Sequence, residues 1–191
     1  MNKTSTYSKT KRITVLSLLI ALACVISLFD KYISKFVINA IPMIGALAPG
    51  FKLGLANIVI LYIIYNFKFV DSLIAVLLKS VVGGFIYGGL VNFFIGFLGT
   101  MLSFFAMYFL VQALRKPINL MFISVVGGIT HTIGQLLAVL IIYQVKDILL
   151  YSPYLILFSI ISGLIVGIIV MIIQKTLNPT NKKVEKAKWN K

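Results

Sequence analysis

Apolar runs of nearly a membrane's width, separated by short polar breaks, dominate the chain from Ile13 to Ile173. A spanning helix needs about 20 largely apolar residues, because the hydrocarbon core is about 30 Å thick and a helix rises about 1.5 Å per residue. Six stretches meet or approach that length: Ile13–Phe29, Phe51–Phe67, Phe69–Tyr87, Phe93–Leu114, Leu120–Tyr143 and Tyr154–Ile173. Little more than Lys68 separates the second from the third, which predicts a tight helical hairpin. Gly88, Gly89 and Asn92 break the chain before the fourth. Arg115-Lys116-Pro117 and Ser152-Pro153 mark the later joins, since proline seldom continues a helix from the preceding turn.

Composition supports the same picture. Of 191 residues, 60% are hydrophobic and 12% charged, whereas a soluble domain is roughly half apolar and about a quarter charged. Both a water-soluble globule and a disordered chain are excluded. The fold class is therefore all-α integral membrane: a six-helix transmembrane bundle over residues 13–175, between a basic N-terminus (1–12) and a basic tail (176–191).

The net charge of +14 then anchors helices in a lipid bilayer rather than binding nucleic acid. Lys3, Lys9, Lys11, Arg12, Lys68, Arg115, Lys116, Lys175 and the five tail lysines gather on one side. Lys31, Lys35, Lys52 and Lys146 fall on the other, and the positive-inside rule puts both termini in the cytoplasm. Ala21-Leu22-Ala23-Cys24 resembles a lipoprotein cleavage box, but cleavage there would move a terminus outward, against the charge count.

Catalysis lacks its usual groups. Asp30, Asp71, Asp147 and Glu185 are the only acids, each at a span end or in the tail, so neither a carboxylate pair nor an aspartate-rich magnesium site can be built locally. No GxxxxGK[ST] loop is present. His131 is the sole histidine and Cys24 the sole cysteine, which excludes HExxH zinc sites and an internal disulfide. The expectation is a protein without catalytic residues, metal or cofactor, hence not an enzyme.

Polar residues inside spans are costly and mark binding sites or pathways. Lys79 sits mid-span on a face with Ser72, Ala75, Gly83 and Tyr87, and His131 and Gln135 are one turn apart on the fifth span. Lys52 and Asn57 open the second span. In this topology Asn57, Lys79 and Gln135 lie roughly 8–12 Å below the outer helix ends and His131 about 18 Å, near enough to share one outward cavity. Lys52, Asn57, Lys79, His131 and Gln135 are the candidate substrate-binding residues. Lys79 has no carboxylate at its predicted depth, so an anionic ligand is expected to neutralise it. Structural alternatives stand beside these roles: an interfacial Lys52, a His131–Gln135 link between helices, and glycines that only permit close packing. The segment Asp30–Gly50, too apolar for a solvated linker, reads either as a flap over the cavity or as an interfacial stretch. Ser17-x-x-x-Ala21 and Ala23-x-x-x-Ser27 place small residues one turn apart on the first span, where another helix can approach.

Pro49-Gly50-Phe51-Lys52-Leu53-Gly54-Leu55-Ala56-Asn57-Ile58, followed by His131-Thr132-Ile133-Gly134-Gln135, resembles the "Gx transporter" family, also labelled heptaprenyl diphosphate synthase component I. Thr132 departs from the asparagine expected there. The family in turn resembles the substrate-binding S components of energy-coupling factor (ECF) transporters. That resemblance implies an outward pocket capped by the loop after the first helix, in a multi-pass protein of the bacterial plasma membrane. It also implies docking on an ECF T component, driven by an ATPase pair, through Ser17 and Ala21. The implied cargo is a small anionic amphiphile, either a flavin nucleotide or an isoprenoid or quinone precursor. The alternative function is a non-catalytic membrane scaffold for isoprenoid or quinone biosynthesis.

Overall fold

The computed structural model describes residues 9–40, 54–87, 89–113, 119–144 and 146–177, and these are all-helical, with no strand. Six helices follow one another: α1 (Lys9–Ala40), α2 (Asn57–Asn66), α3 (Phe69–Tyr87), α4 (Leu90–Ala113), α5 (Leu120–Tyr143) and α6 (Ile148–Leu177). Four of them, α1, α4, α5 and α6, are long and apolar enough to cross a membrane.

The third and fifth predicted segments coincide with α3 and α5, while the others shift at their ends. α1 continues eleven residues beyond Phe29, so the first part of the Asp30–Gly50 segment is helix rather than loop. Its remainder, residues 41–50, lies outside the described residues. Along this extension Asp30 and Ser34 are buried while Phe29, Tyr32, Ile33 and Phe36 are exposed. That is a helical period, which sustains the helix although its mean apolarity falls.

α2 corrects the second segment. Its described helix has ten residues, about 15 Å, too short to span the hydrocarbon core. Gly54 precedes it at φ +82, and the amides of Asn57 and Ile58 bond to the carbonyls of Gly54 and Leu55. Six of the ten residues are buried, over a wide face that leaves Ile58, Tyr62, Tyr65 and Asn66 on the less buried side. Ile60, Leu61 and Ile64 join Val76 of α3, Phe104 and Met107 of α4, Ile123 of α5 and Val166 and Val170 of α6 in the main apolar core.

The predicted α2–α3 hairpin is present, with Phe67 extended and its amide bonded to Ile63 O at 2.8 Å. Gly89, at φ +105, makes the break before α4. Asn92, expected to share in that break, instead lies in the first turn of α4. α6 starts before Ser152-Pro153 and runs through it. Proline cannot donate to the carbonyl one turn back, here that of Leu149. Ser152 Oγ supplies the missing bond to Leu149 O at 2.8 Å, so the helix survives its proline.

α5 is the packing axis, touching α4 on one side and α6 on the other. Close approach depends on absent side chains. A Cβ on Gly134 would come within 2.7 Å of Gly99 Cα in α4, and one on Gly128 within 2.7 Å of Ser159 O in α6. α1 packs against α2 and α3, with Ala23 buried among Val59, Ile63, Phe67 and Ala75. At one end of that contact Arg12 Nη2 meets Asp71 Oδ1 of α3 at 2.6 Å.

Candidate functional site

Ser27 and Asp30 of α1, Lys79, Ser80, Gly83 and Gly84 of α3, Asn92, Phe93, Gly96, Phe97 and Thr100 of α4, His131 of α5 and Gly54 enclose one small polar cavity of about 30 Å³. This is room for a water or two. Lys79 is 8% exposed and Asp30 3%.

The cavity corrects one expectation directly. Lys79 has an acidic neighbour, since Asp30 lines the same space. The cause is the length of α1. Asp30 does not end a span but sits mid-helix, three residues after Ser27 and four before Ser34, on the buried face. Asp30 Oδ2 accepts the Gly54 amide at 2.9 Å, and Oδ1 accepts the Ser34 hydroxyl at 3.4 Å. The carboxylate therefore ties α1 to the turn that starts α2.

Gly54 is what the glycine-containing motif provides there. Its φ of +82 suits glycine, and a Cβ would stand 3.3 Å from His131 Cδ2 and 3.2 Å from Asn57 Nδ2. Both halves of the sequence signature thus meet at one point, with His131 of α5 against Gly54. Gln135, one turn on, brings its amide nitrogen 3.2 Å from His131 Nε2. The bond ties the imidazole to its own helix one turn on.

Of the five predicted binding residues, Lys79 and His131 face the cavity. Gln135 is buried behind His131 rather than in the lining, and Asn57 is buried against α4, its Nδ2 3.4 Å from Ser103 Oγ. Lys52 lies outside the described residues. Ser17 and Ala21 are exposed on α1, while the second small pair, Ala23 and Ser27, is buried in the bundle. Sequence reasoning missed Asp30, Ser80, Asn92 and Thr100. For Asp30 the signal was available in the spacing Ser27, Asp30, Ser34. Ser80 Oγ is buried and has no hydrogen-bond partner among the described residues, so the cavity retains bonding capacity.

The family described as heptaprenyl diphosphate synthase component I matches residues 19–173, from within α1 to near the end of α6. The chain belongs to that family. The match takes in every residue lining the cavity. No curated protein and no solved structure matches the chain.

Proposed function

We propose that this family member is the substrate-binding membrane subunit of an ECF-type transporter, and that its cargo is a small anionic amphiphile, a flavin nucleotide or an isoprenoid or quinone precursor. In this reading it is a multi-pass protein of the bacterial plasma membrane with both termini in the cytoplasm, its six crossings including a short one made by α2 together with the turn at Gly54 before it. It catalyses nothing itself; a T component and an ATPase pair supply the energy, docking at Ser17 and Ala21.

The observation that carries the reading is the cavity. A lysine buried among apolar helices faces Ser27, Ser80, Asn92, Thr100 and His131, all able to hydrogen-bond. An ammonium can give three hydrogen bonds to acceptor oxygens, and a phosphate or carboxylate supplies them in charge-assisted form. Asp30 has donors of its own in Gly54 and Ser34, which lets an arriving anion share Lys79. The exposure of Ser17 and Ala21 fits a docking face.

The test is mass spectrometry of small molecules retained after gentle detergent extraction. An anionic amphiphile should accompany the wild type and be lost from Lys79→Gln. Copurification of ATPases and a T component supports the transport reading. Magnesium-dependent prenyl chain elongation by the purified protein would overturn it, because its acids do not cluster for that chemistry.

The family's description as a synthase component favours one other reading, a non-catalytic scaffold for isoprenoid or quinone biosynthesis. Copurification of a soluble prenyl synthase in place of the ATPases would select it.

A further inference from the structure

The polar cavity is too small for such a cargo. At about 30 Å³ it falls far below the roughly 300–1,000 Å³ of ordinary ligand sites. Space exists immediately beside it. Val81 and Gly84 of α3, with Gly89, Leu90 and Phe93 at the start of α4, form an apolar groove of about 420 Å³. Gly84 and Phe93 belong to both linings.

Phe93 is the wall between the two. Its ring lies over Gly84 so closely that a Cβ there would come within 2.5 Å of Cδ2. It stacks on Phe97, centroids 5.6 Å apart, and meets Phe94 edge-on at 5.4 Å. Phe93 and Gly84 are the residues the two linings share, so the position of the Phe93 ring decides whether the spaces communicate. Val81 and Leu90 are both exposed, so the groove opens on the outer surface of the bundle, which is lipid-facing in a membrane protein.

We infer that the cargo is a chain-bearing amphiphile whose linear apolar tail lies in the groove between α3 and α4 and whose phosphate-type head reaches Lys79 once Phe93, the movable wall between groove and cavity, turns aside and merges the two spaces. This rests on the cavity being the ligand site, and it selects the isoprenoid class over the flavin nucleotide. Continuity with the polar cavity argues for the tail as occupant. A head held at Lys79 would otherwise bring its attached chain into the crowded stack of Phe93 and Phe97. A linear chain matches a groove lined by valine, leucine, phenylalanine and glycine, whereas a flavin's fused polar rings do not.

The experiment is competition binding to the full chain in phosphatidylcholine nanodiscs, with tritiated farnesyl diphosphate against isopentenyl diphosphate and flavin mononucleotide. Wild type should bind farnesyl diphosphate at least tenfold more tightly than isopentenyl diphosphate, which has the same head and a third of the chain. Val81→Trp fills the groove and should abolish that preference while leaving the short ligand's affinity within twofold. Leu90→Trp fills it from α4, at a strongly exposed position, and should behave alike if the first variant folds poorly. Equal affinity for both chain lengths, or a preference that survives both variants, would overturn the groove assignment. If Lys79→Gln then still weakens binding, the cavity reading stands without it. Lysine-dependent binding of flavin mononucleotide alone has the same meaning. Failure of all three probes to bind wild type would overturn the groove together with the anion site.

Discussion

Asp30 of α1 and Lys79 of α3 are both buried and line one cavity. Two ionised groups taken from water are costly, and their attraction offsets that cost only while both are present. Lys79→Met should therefore destabilise the protein, by about 3 kcal/mol, at the low end for a broken buried pair because Asp30 keeps its bonds to Gly54 and Ser34. Adding Asp30→Asn should recover part of that loss. Thermal unfolding of both single variants and the double variant in one detergent measures the coupling, and simple additivity would show that the two charges are independent.

Helix identity was easier to read than helix length. α3 and α5 were delimited by sharp polar or proline boundaries, and their predicted ends match. α1 was not, because a span was expected to stop near 20 residues, and Asp30 and Lys31 resembled a membrane boundary. What continued past them was an amphipathic surface, with Asp30 and Ser34 inside and Phe29, Tyr32 and Phe36 outside. Misplacing that one end hid the partner of Lys79. α2 failed in the other direction. Its apolar run is long enough to suggest a span, but hydropathy cannot show that Gly54 turns the backbone before Asn57. Lys79 and His131 were legible because a polar residue among apolar neighbours is conspicuous on any helix, whereas Ser80 and Thr100 are common enough in membrane helices to carry no signal.

Gly54→Ala should be costly out of proportion to the single methyl added. The left-handed backbone costs a non-glycine residue roughly 1–2 kcal/mol, and the methyl would also press on Asn57 and His131. A total near 2 kcal/mol is expected, with a lower midpoint in thermal unfolding. A variant as stable as wild type would mean that the turn relaxes at no cost.

The contact between Arg12 and Asp71 is asymmetric, with side chains 33% and 7% exposed. Removing the arginine leaves a buried carboxylate, whose Oδ2 already has no hydrogen-bond partner among the described residues. Arg12→Ala should cost about 1–3 kcal/mol, between the exposed and fully buried limits. Arg12→Ala combined with Asp71→Asn should cost less than Arg12→Ala alone. Unfolding midpoints at two salt concentrations check this, since the arginine side of the pair remains partly screened.

The distribution of basic residues predicts cytoplasmic termini. A reporter fused after Lys191 and active only outside the cytoplasm should stay silent. Activity would invert the bundle and turn the cavity toward the cytoplasmic side.

Two glycines distinguish packing from gating. At Gly134 an added Cβ meets backbone, 2.7 Å from Gly99 Cα and 2.8 Å from Leu98 O, so α4 and α5 must separate to admit it. Overpacking of this kind costs about 1–3 kcal/mol, and the shift would displace His131 and Gln135 on the same helix. At Gly84 the nearest contacts of the added Cβ are Phe93 Cδ2, Cγ and Cβ at 2.5, 3.0 and 3.1 Å; turning the ring toward the groove relieves the first two, and the third asks only a small backbone adjustment. Gly134→Ala should thus lower the unfolding midpoint clearly, while Gly84→Ala should change it little and instead alter access to the cavity. A cysteine at Ser80, in a background with Cys24→Ser, reports that access through its rate of reaction with a small thiol reagent. The rate should rise when Gly84→Ala is added. An unchanged rate with an intact fold would mean that Phe93 is held in place by Phe97 and Phe94 and does not open.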